Sequence, residues 1–193
     1  GMIVYNQGDS IDNVYLVKNG RVCLSTISSN GQEKSFFIAE SGCIFGELSA
    51  IDKTPNIYTS LCVIDSHIYI IPRDLFILEL SNNLTFSNNI VNLLVKKMRI
   101  FTTEINHLVF KDAKYRVLYA IIQLIDTHAT TISDGYLVEI RFTHQQMANL
   151  TGLSRVSVSQ ILSNLINDGI IEKKDSYLVV KDLQPIVEFL LES

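Results

Sequence analysis

Between Thr143 and Asn164 the sequence gathers side chains suited to reading the polar edges of another molecule. Arg155, Ser157, Ser159 and Gln160 carry donors or acceptors, Val156 adds an apolar contact, and Thr143, His144, Gln145 and Ser154 stand just upstream. Arginine forks onto paired acceptors, glutamine offers a donor beside an acceptor, and a β-branched residue suits a methyl group. That is the chemistry of base edges in a DNA major groove. No acid occurs between Glu139 and Asp168, so this stretch approaches phosphates without repulsion, and Arg141, Lys173 and Lys174 flank it with positive charge.

Other chemistries lack their residue patterns. There is no nucleophile elbow, phosphate loop or metal-ligand spacing, so no catalytic residue, no metal ligand and no cofactor is expected. Cys23, Cys43 and Cys62 lie about twenty residues apart, which suits neither a zinc knuckle nor a disulfide framework. They read as apolar thiols in a reducing compartment, with redox sensing as the alternative. His67 and His107 match no haem-ligand pattern and read as core or surface residues.

The net charge of −4 does not decide for or against nucleic acid, because 8 basic and 10 acidic residues fall on each side of residue 110. Asp65 and His67 interrupt the apolar stretch from Leu61 to Ile71, well short of a membrane span. No signal peptide is visible, and a cytoplasmic location without membrane partners is the expectation.

The elements that must position the reading residues follow from pattern. From Ile3 to Ile71, short β-branched and aromatic runs alternate with Gly8-Asp9, Asn19-Gly20, Asn30-Gly31 and Ser41-Gly42, which predicts an all-β unit. The Asn19-Gly20 pair between Val14–Val17 and Arg21–Ser25 predicts a hairpin. After Pro72 and a short helical stretch near Leu75–Leu80, Ser81-Asn82-Asn83 supplies caps for a long helix. Its apolar residues Val91, Leu94, Met98, Phe101, Ile105 and Leu108 alternate steps of three and four, the spacing of a coiled-coil seam, with packing on the chain's own β-unit as the alternative. Ile90, Leu93 and Ile100 give a second face for the β-unit.

Beyond Lys111, helical periodicity runs from Tyr115 to Ile125 and is broken by the polar stretch Asp126–Gly135. A helix at His144–Leu150, a turn at Thr151-Gly152-Leu153 and a second helix opening at Ser154 predict a helix–turn–helix, with Met147, Leu153, Val158, Ile161 and Leu162 as its core. Ile170–Lys174 and Tyr177–Val180 around Asp175-Ser176 predict a wing with a basic tip.

Gly8-Asp9, Asp12, Val14-Tyr15, Gly20, Val22, Gly31, Gly42 and Phe45-Gly46-Glu47-Leu48, closed by Ile71–Phe76, resemble the effector-binding β-roll of the Crp/Fnr family of bacterial transcription regulators. Asp112 and Arg116 look like that family's hinge, and Gly152–Arg155 with Val158 and Ile161-Leu162 like its DNA-reading element. The resemblance implies an α+β fold. Residues 1–83 would form a double-stranded β-helix, a jelly-roll-like sensing roll, 84–110 a dimerisation helix, and 111–193 a winged helix–turn–helix. It also implies a helix before Ile3 that this sequence does not include. The implied partners are a second copy of the chain, double-stranded DNA with a near-palindromic operator, and RNA polymerase.

In cyclic-nucleotide-binding relatives the glutamate of Gly-Glu-Leu holds the ribose hydroxyl, and a later Pro-Arg-Ser holds the phosphate. Here Pro55 is followed by Asn56 and Ile57, which removes the guanidinium and its charge-assisted contact. The polar pair offered by the long helix falls at Phe101 and Thr102. The pocket implied by Phe45, Gly46, Glu47, Leu48, Asn56, Ile57, Phe101 and Thr102 is therefore expected to take a small effector other than cyclic AMP, with a vestigial pocket or action through protein partners as the alternative. The family's Arg-Glu-x-x-x-Arg reading set appears as Arg155, Val156 and Gln160, which suit guanine, a thymine methyl and adenine respectively.

Overall fold

The β-branched and aromatic runs become seven strands: Ile3–Tyr5 (β1), Asn13–Asn19 (β2), Val22–Ile27 (β3), Glu33–Ala39 (β4), Ile44–Phe45 (β5), Thr59–Cys62 (β6) and His67–Pro72 (β7). The computed structural model describes residues 1–10, 12–175 and 177–193. It divides into the units Gly1–Thr103 and Glu104–Ser193. In the first unit the strands form two antiparallel sheets, ordered β1-β6-β3-β4 and β5-β2-β7. Alternate side chains of both sheets bury Tyr5, Tyr15, Val17, Val22, Leu24, Phe45 and Cys62 between them. The Tyr15 and Phe45 rings stack at 5.1 Å.

Asn19-Gly20 does not close a hairpin. Strand β2 pairs with β5 and β7 while β3 pairs with β4 and β6, so the dipeptide carries the chain from one sheet to the other. Gly20 takes φ 106°, and a Cβ there would sit 2.6 Å from Ser66 Cα. The turn propensity is genuine, but the apolar ladder that sets Val14 opposite Ile71 and Val22 opposite Cys62 outranks it.

Glu47–Asp52 (α1) and Arg73–Asn82 (α2) cover one end of the roll, and Arg73 Nε donates to the Ala50 carbonyl at 2.8 Å. The long helix Leu84–Phe110 (α3) starts where the Phe86 N–H donates to Asn83 Oδ1 at 3.1 Å. Its residue Ile90 is buried with Val14, Ala50 and Phe76, a burial worth about 1.5–3 kcal/mol.

The second unit holds Ala113–His128 (α4), Ala129–Ile132 (β8), Gly135–Val138 (β9), His144–Thr151 (α5), Arg155–Asn167 (α6), Ile171–Lys174 (β10), Tyr177–Val180 (β11) and Gln184–Glu192 (α7). The polar stretch 126–135 is more ordered than its composition suggests. Helix α4 continues to His128, and the threonines of Ala129–Ile132 pair with β9 as an edge strand. The sheet is ordered β10-β11-β9-β8. Val117, Leu118, Ile121, Met147, Val158, Leu162 and Ile186 form one core beneath α5 and α6.

Candidate functional site

The α5–turn–α6 segment is fixed by three local devices. Thr143 and Gln146 form a reciprocal capping box, with the Gln146 N–H donating to Thr143 Oγ1 at 3.1 Å and the Thr143 N–H to Gln146 Oε1 at 2.8 Å. Gly152 ends α5 in the left-handed region at φ 67°, which turns the chain sharply at little steric cost. Ser154 caps α6 by accepting the Ser157 N–H at 3.0 Å. Each device satisfies backbone groups that a helix end leaves open, so the direction of α6 is set before any partner arrives.

Val158, Leu162 and Leu165 of α6 are buried, which turns Arg155, Val156, Gln160, Ser163 and Asn164 outward. Val156 is 78% exposed. Arg155, Val156, Ser159, Gln160 and Ser163 line a shallow concave strip. Ser157 is half-buried, its hydroxyl 2.8 Å from that of Ser154. Gln145 is exposed on α5 and donates to Asn149 Oδ1 at 2.7 Å. His144 lines a cleft with Phe142, Lys173 and Tyr177. Arg141 stacks over the Tyr177 ring at 4.7 Å, while Lys173 and Lys174 are exposed on β10. Ser176, expected in the wing tip, lies outside the described residues.

The corner containing Phe45–Leu48 is arranged differently. Phe45 has no exposed surface and belongs to the roll's aromatic core, so it does not line a pocket. Glu47 is 1% exposed, and Lys97 Nζ donates to its Oε1 at 2.7 Å and to the Ile44 carbonyl at 3.3 Å, while lying over the Phe37 ring at 5.1 Å. Burial, and then the Glu47 charge, push the Tyr58 phenol up. Asn56 is buried in the roll's own bonding: its Nδ2 donates to the Asp9 carbonyl at 3.1 Å, and Ser49 donates to its Oδ1 at 3.0 Å. Ile57 is half-exposed, and Leu48 is half-buried. Thr102 is exposed and spends its hydroxyl on the Met98 carbonyl at 3.0 Å, so within the chain it does not face the roll.

The heptad residues of α3 divide between two faces. Leu94 packs with Ile90, Phe76 and Phe86, and the Phe101 ring meets Phe36 edge-on at 6.2 Å, so both serve the chain's own roll. The expected inner residues Leu93 and Ile100 are only half-buried. The outward apolar residues between Val91 and Val109 are Val91, Val95, Met98, Ile105, Leu108 and Val109, with Leu84 and Phe110 exposed at the helix ends. The inward row is Ile90, Leu94, Lys97 and Phe101, which has a 4-3-4 spacing of its own.

Lys97 is the buried residue of this corner that sequence pattern alone passed over. Its signal is a single cation inside that inward row, where an unpaired ammonium is costly and a buried acid is therefore implied. At the start of the second unit, the buried His107 ring packs 4.3 Å from Tyr119 and 5.3 Å from Tyr115. Burial holds its pKa below the usual 6.5, with Lys111 and Arg116 acting the same way against Glu104. Arg116 Nη1 donates to the Thr151 carbonyl at 3.1 Å, tying α4 to the end of α5.

Residues 1–83 match the cyclic nucleotide-binding domain model and residues 115–188 the Crp-like helix-turn-helix domain model. The chain is 29% identical over 171 residues to the cyclic AMP receptor protein of Thermus thermophilus, covering 89% of this chain and 76% of that protein. It is 26% identical over 194 residues to the HTH-type transcriptional regulator ArcR of Staphylococcus epidermidis, covering 95% and 80%. Among solved structures, a CooA variant from Carboxydothermus hydrogenoformans superposes with a TM-score of 0.84 at 28% identity, covering 98% of this chain and 84% of that one.

Proposed function

Since the chain belongs to the Crp/Fnr family of transcription regulators, we propose that it binds a near-palindromic DNA operator as a homodimer and acts on RNA polymerase from there, in the cytoplasm and without catalysis. The observation that carries this reading is the outward face of α6, which is free of acids, capped at its start by Ser154 and flanked by exposed Lys173 and Lys174. Residues 1–83 act as the sensing roll, 84–110 as the dimerisation helix and 111–193 as the DNA-binding domain. Arg155 enters the groove in the first turn of α6 and reads guanine, and Thr143, His144, Gln145, Ser154, Ser157, Ser159 and Arg141 line the approach. Two copies related by a two-fold axis require half-sites about one helical turn apart.

Selection from a random duplex pool tests the operator. A palindrome with that spacing is the expected product, and an unstructured pool overturns the reading. Dimerisation through Val91, Val95, Met98, Ile105 and Leu108 is tested by light scattering on Met98→Glu, which places a charge on each side of a dry seam. Monomers are expected, and an unchanged dimer rules the seam out.

The effector is not cyclic AMP in this proposal. No guanidinium stands at Asn56-Ile57, the Asn56 carboxamide is spent on Asp9 and Ser49, and Glu47 already holds Lys97. Calorimetry is expected to find no cyclic AMP binding at micromolar concentration. Those same internal bonds favour a second reading in which the roll needs no effector and the protein binds DNA constitutively. Operator binding by protein refolded from denaturant, stripped of small molecules, separates the two.

A further inference from the structure

Residues Gln160 and Asn164 stand one turn apart on the outward face of α6, and Gln160 Nε2 donates to Asn164 Oδ1 at 3.0 Å. We propose that Asn164 is a positioning residue for base selection: it holds the Gln160 carboxamide so that each half-site must present adenine at the position this side chain meets. The inference rests on the DNA-binding reading above.

A glutamine on an exposed helix face ordinarily turns its carboxamide freely, offering its oxygen or its amide hydrogens in any order. When the bond to Asn164 takes the amide hydrogen trans to Oε1, the other stands beside Oε1 as an adjacent donor and acceptor. In the major groove adenine presents the complement, with N7 accepting and the N6 amino group donating. Guanine presents two acceptors there and cannot satisfy Oε1, while cytosine and thymine offer no matching pair. Val156, one turn before Gln160 on the same face and 78% exposed, sets an apolar surface where a thymine methyl of a neighbouring pair fits. Fixing the carboxamide in advance also removes part of the cost of ordering it on binding, worth about 1.4- to 2.3-fold in affinity for an exposed pair of this kind on a helix.

The test uses the full chain and duplexes carrying the selected operator, with each of the four base pairs placed in turn at every half-site position. Gln160→Ala identifies the position by relaxing preference there. The parent is expected to favour adenine at that position about tenfold or more. Asn164→Leu, close to asparagine in shape but without an acceptor, is expected to lower that preference about twofold. Its affinity for unrelated duplex and its thermal midpoint should not move. Asn164→Asp keeps the acceptor, so it is expected to retain the adenine preference while weakening every sequence alike through repulsion of phosphate. An Asn164→Leu protein with the parent's base preference, or Gln160→Ala relaxing no position, overturns the inference and leaves the operator reading intact. A parent that selects no sequence overturns the operator reading first, and the inference with it.

Discussion

In the corner beneath α3 the Glu47 carboxylate, the Lys97 ammonium and the Asn56 carboxamide find their partners inside the chain, and each is almost wholly buried. Along α6 the guanidinium of Arg155, the hydroxyl of Ser163 and the apolar surface of Val156 are held out to solvent by caps and core contacts that leave them unspent. Both regions are built from polar residues on well-packed elements. They differ in where hydrogen-bonding capacity is used. A buried polar group left without a partner costs about 1–3 kcal/mol, so the corner is complete as it stands, whereas the helix face gives up nothing by waiting for another molecule.

The largest effect that would break this comparison lies in the corner. Lys97→Met strands the Glu47 carboxylate and is expected to cost about 3–5 kcal/mol in denaturant unfolding. Adding Glu47→Gln should recover much of that loss, and base preference should not change. A loss below about 1 kcal/mol would put the pair on the footing of a surface ion pair.

Arg155→Ala is the matching experiment on α6. It is expected to leave unfolding unchanged while operator affinity falls by about 1–3 kcal/mol, with preference relaxed at one position in each half-site. Titration against single-position operator variants measures this, and unchanged preference would remove Arg155 from the reading set. A smaller effect belongs to Lys173→Ala, which should weaken all sequences alike and lower the slope of log affinity against log salt by about one unit.

The smallest effect concerns pH. Burial lowers the His107 pKa in the folded chain, so well above pH 6.5 both folded and unfolded imidazoles are uncharged and stability is flat. As pH falls below about 6.5 the unfolded chain takes up a proton that the folded one resists. Stability therefore declines until the folded ring also titrates. Unfolding of His107→Gln between pH 5 and 8 should lack this step.

The reading helix was legible because its devices are local: Ser154 and Gly152 act within four residues of themselves, whereas the capping box of Thr143 and Gln146 emerged only in the structure. The long helix was legible in extent for the same reason, from Asn83 to Phe110. Its rotation was not, because steps of three and four fit both the row through Ile90, Leu94, Lys97 and Phe101 and the row through Val91, Met98 and Ile105. What separates them is contact with Val14, Phe76 and Phe36, residues brought near only by the roll. The same limit explains Asn19-Gly20, whose turn chemistry is visible locally while the sheets it joins are set by pairings with distant strands. Lys97 was hidden because its partner, Glu47, stands fifty residues away in sequence.

The crossing at Gly20 also sets a timescale. Strands β2 and β3 are neighbours in sequence but cannot zip together. Val14 must first find Ile71, and Val22 must find Cys62, before the aromatic core between the sheets closes. Closing such long loops is costly in entropy, and chains dominated by distant pairings fold slowly. Helices α5 and α6 need only the short turn at Gly152 to meet. During refolding the reading helix should therefore be formed while the roll is still open, so a chain caught early would carry α6 ready for a groove before α3 had a finished roll to lean on.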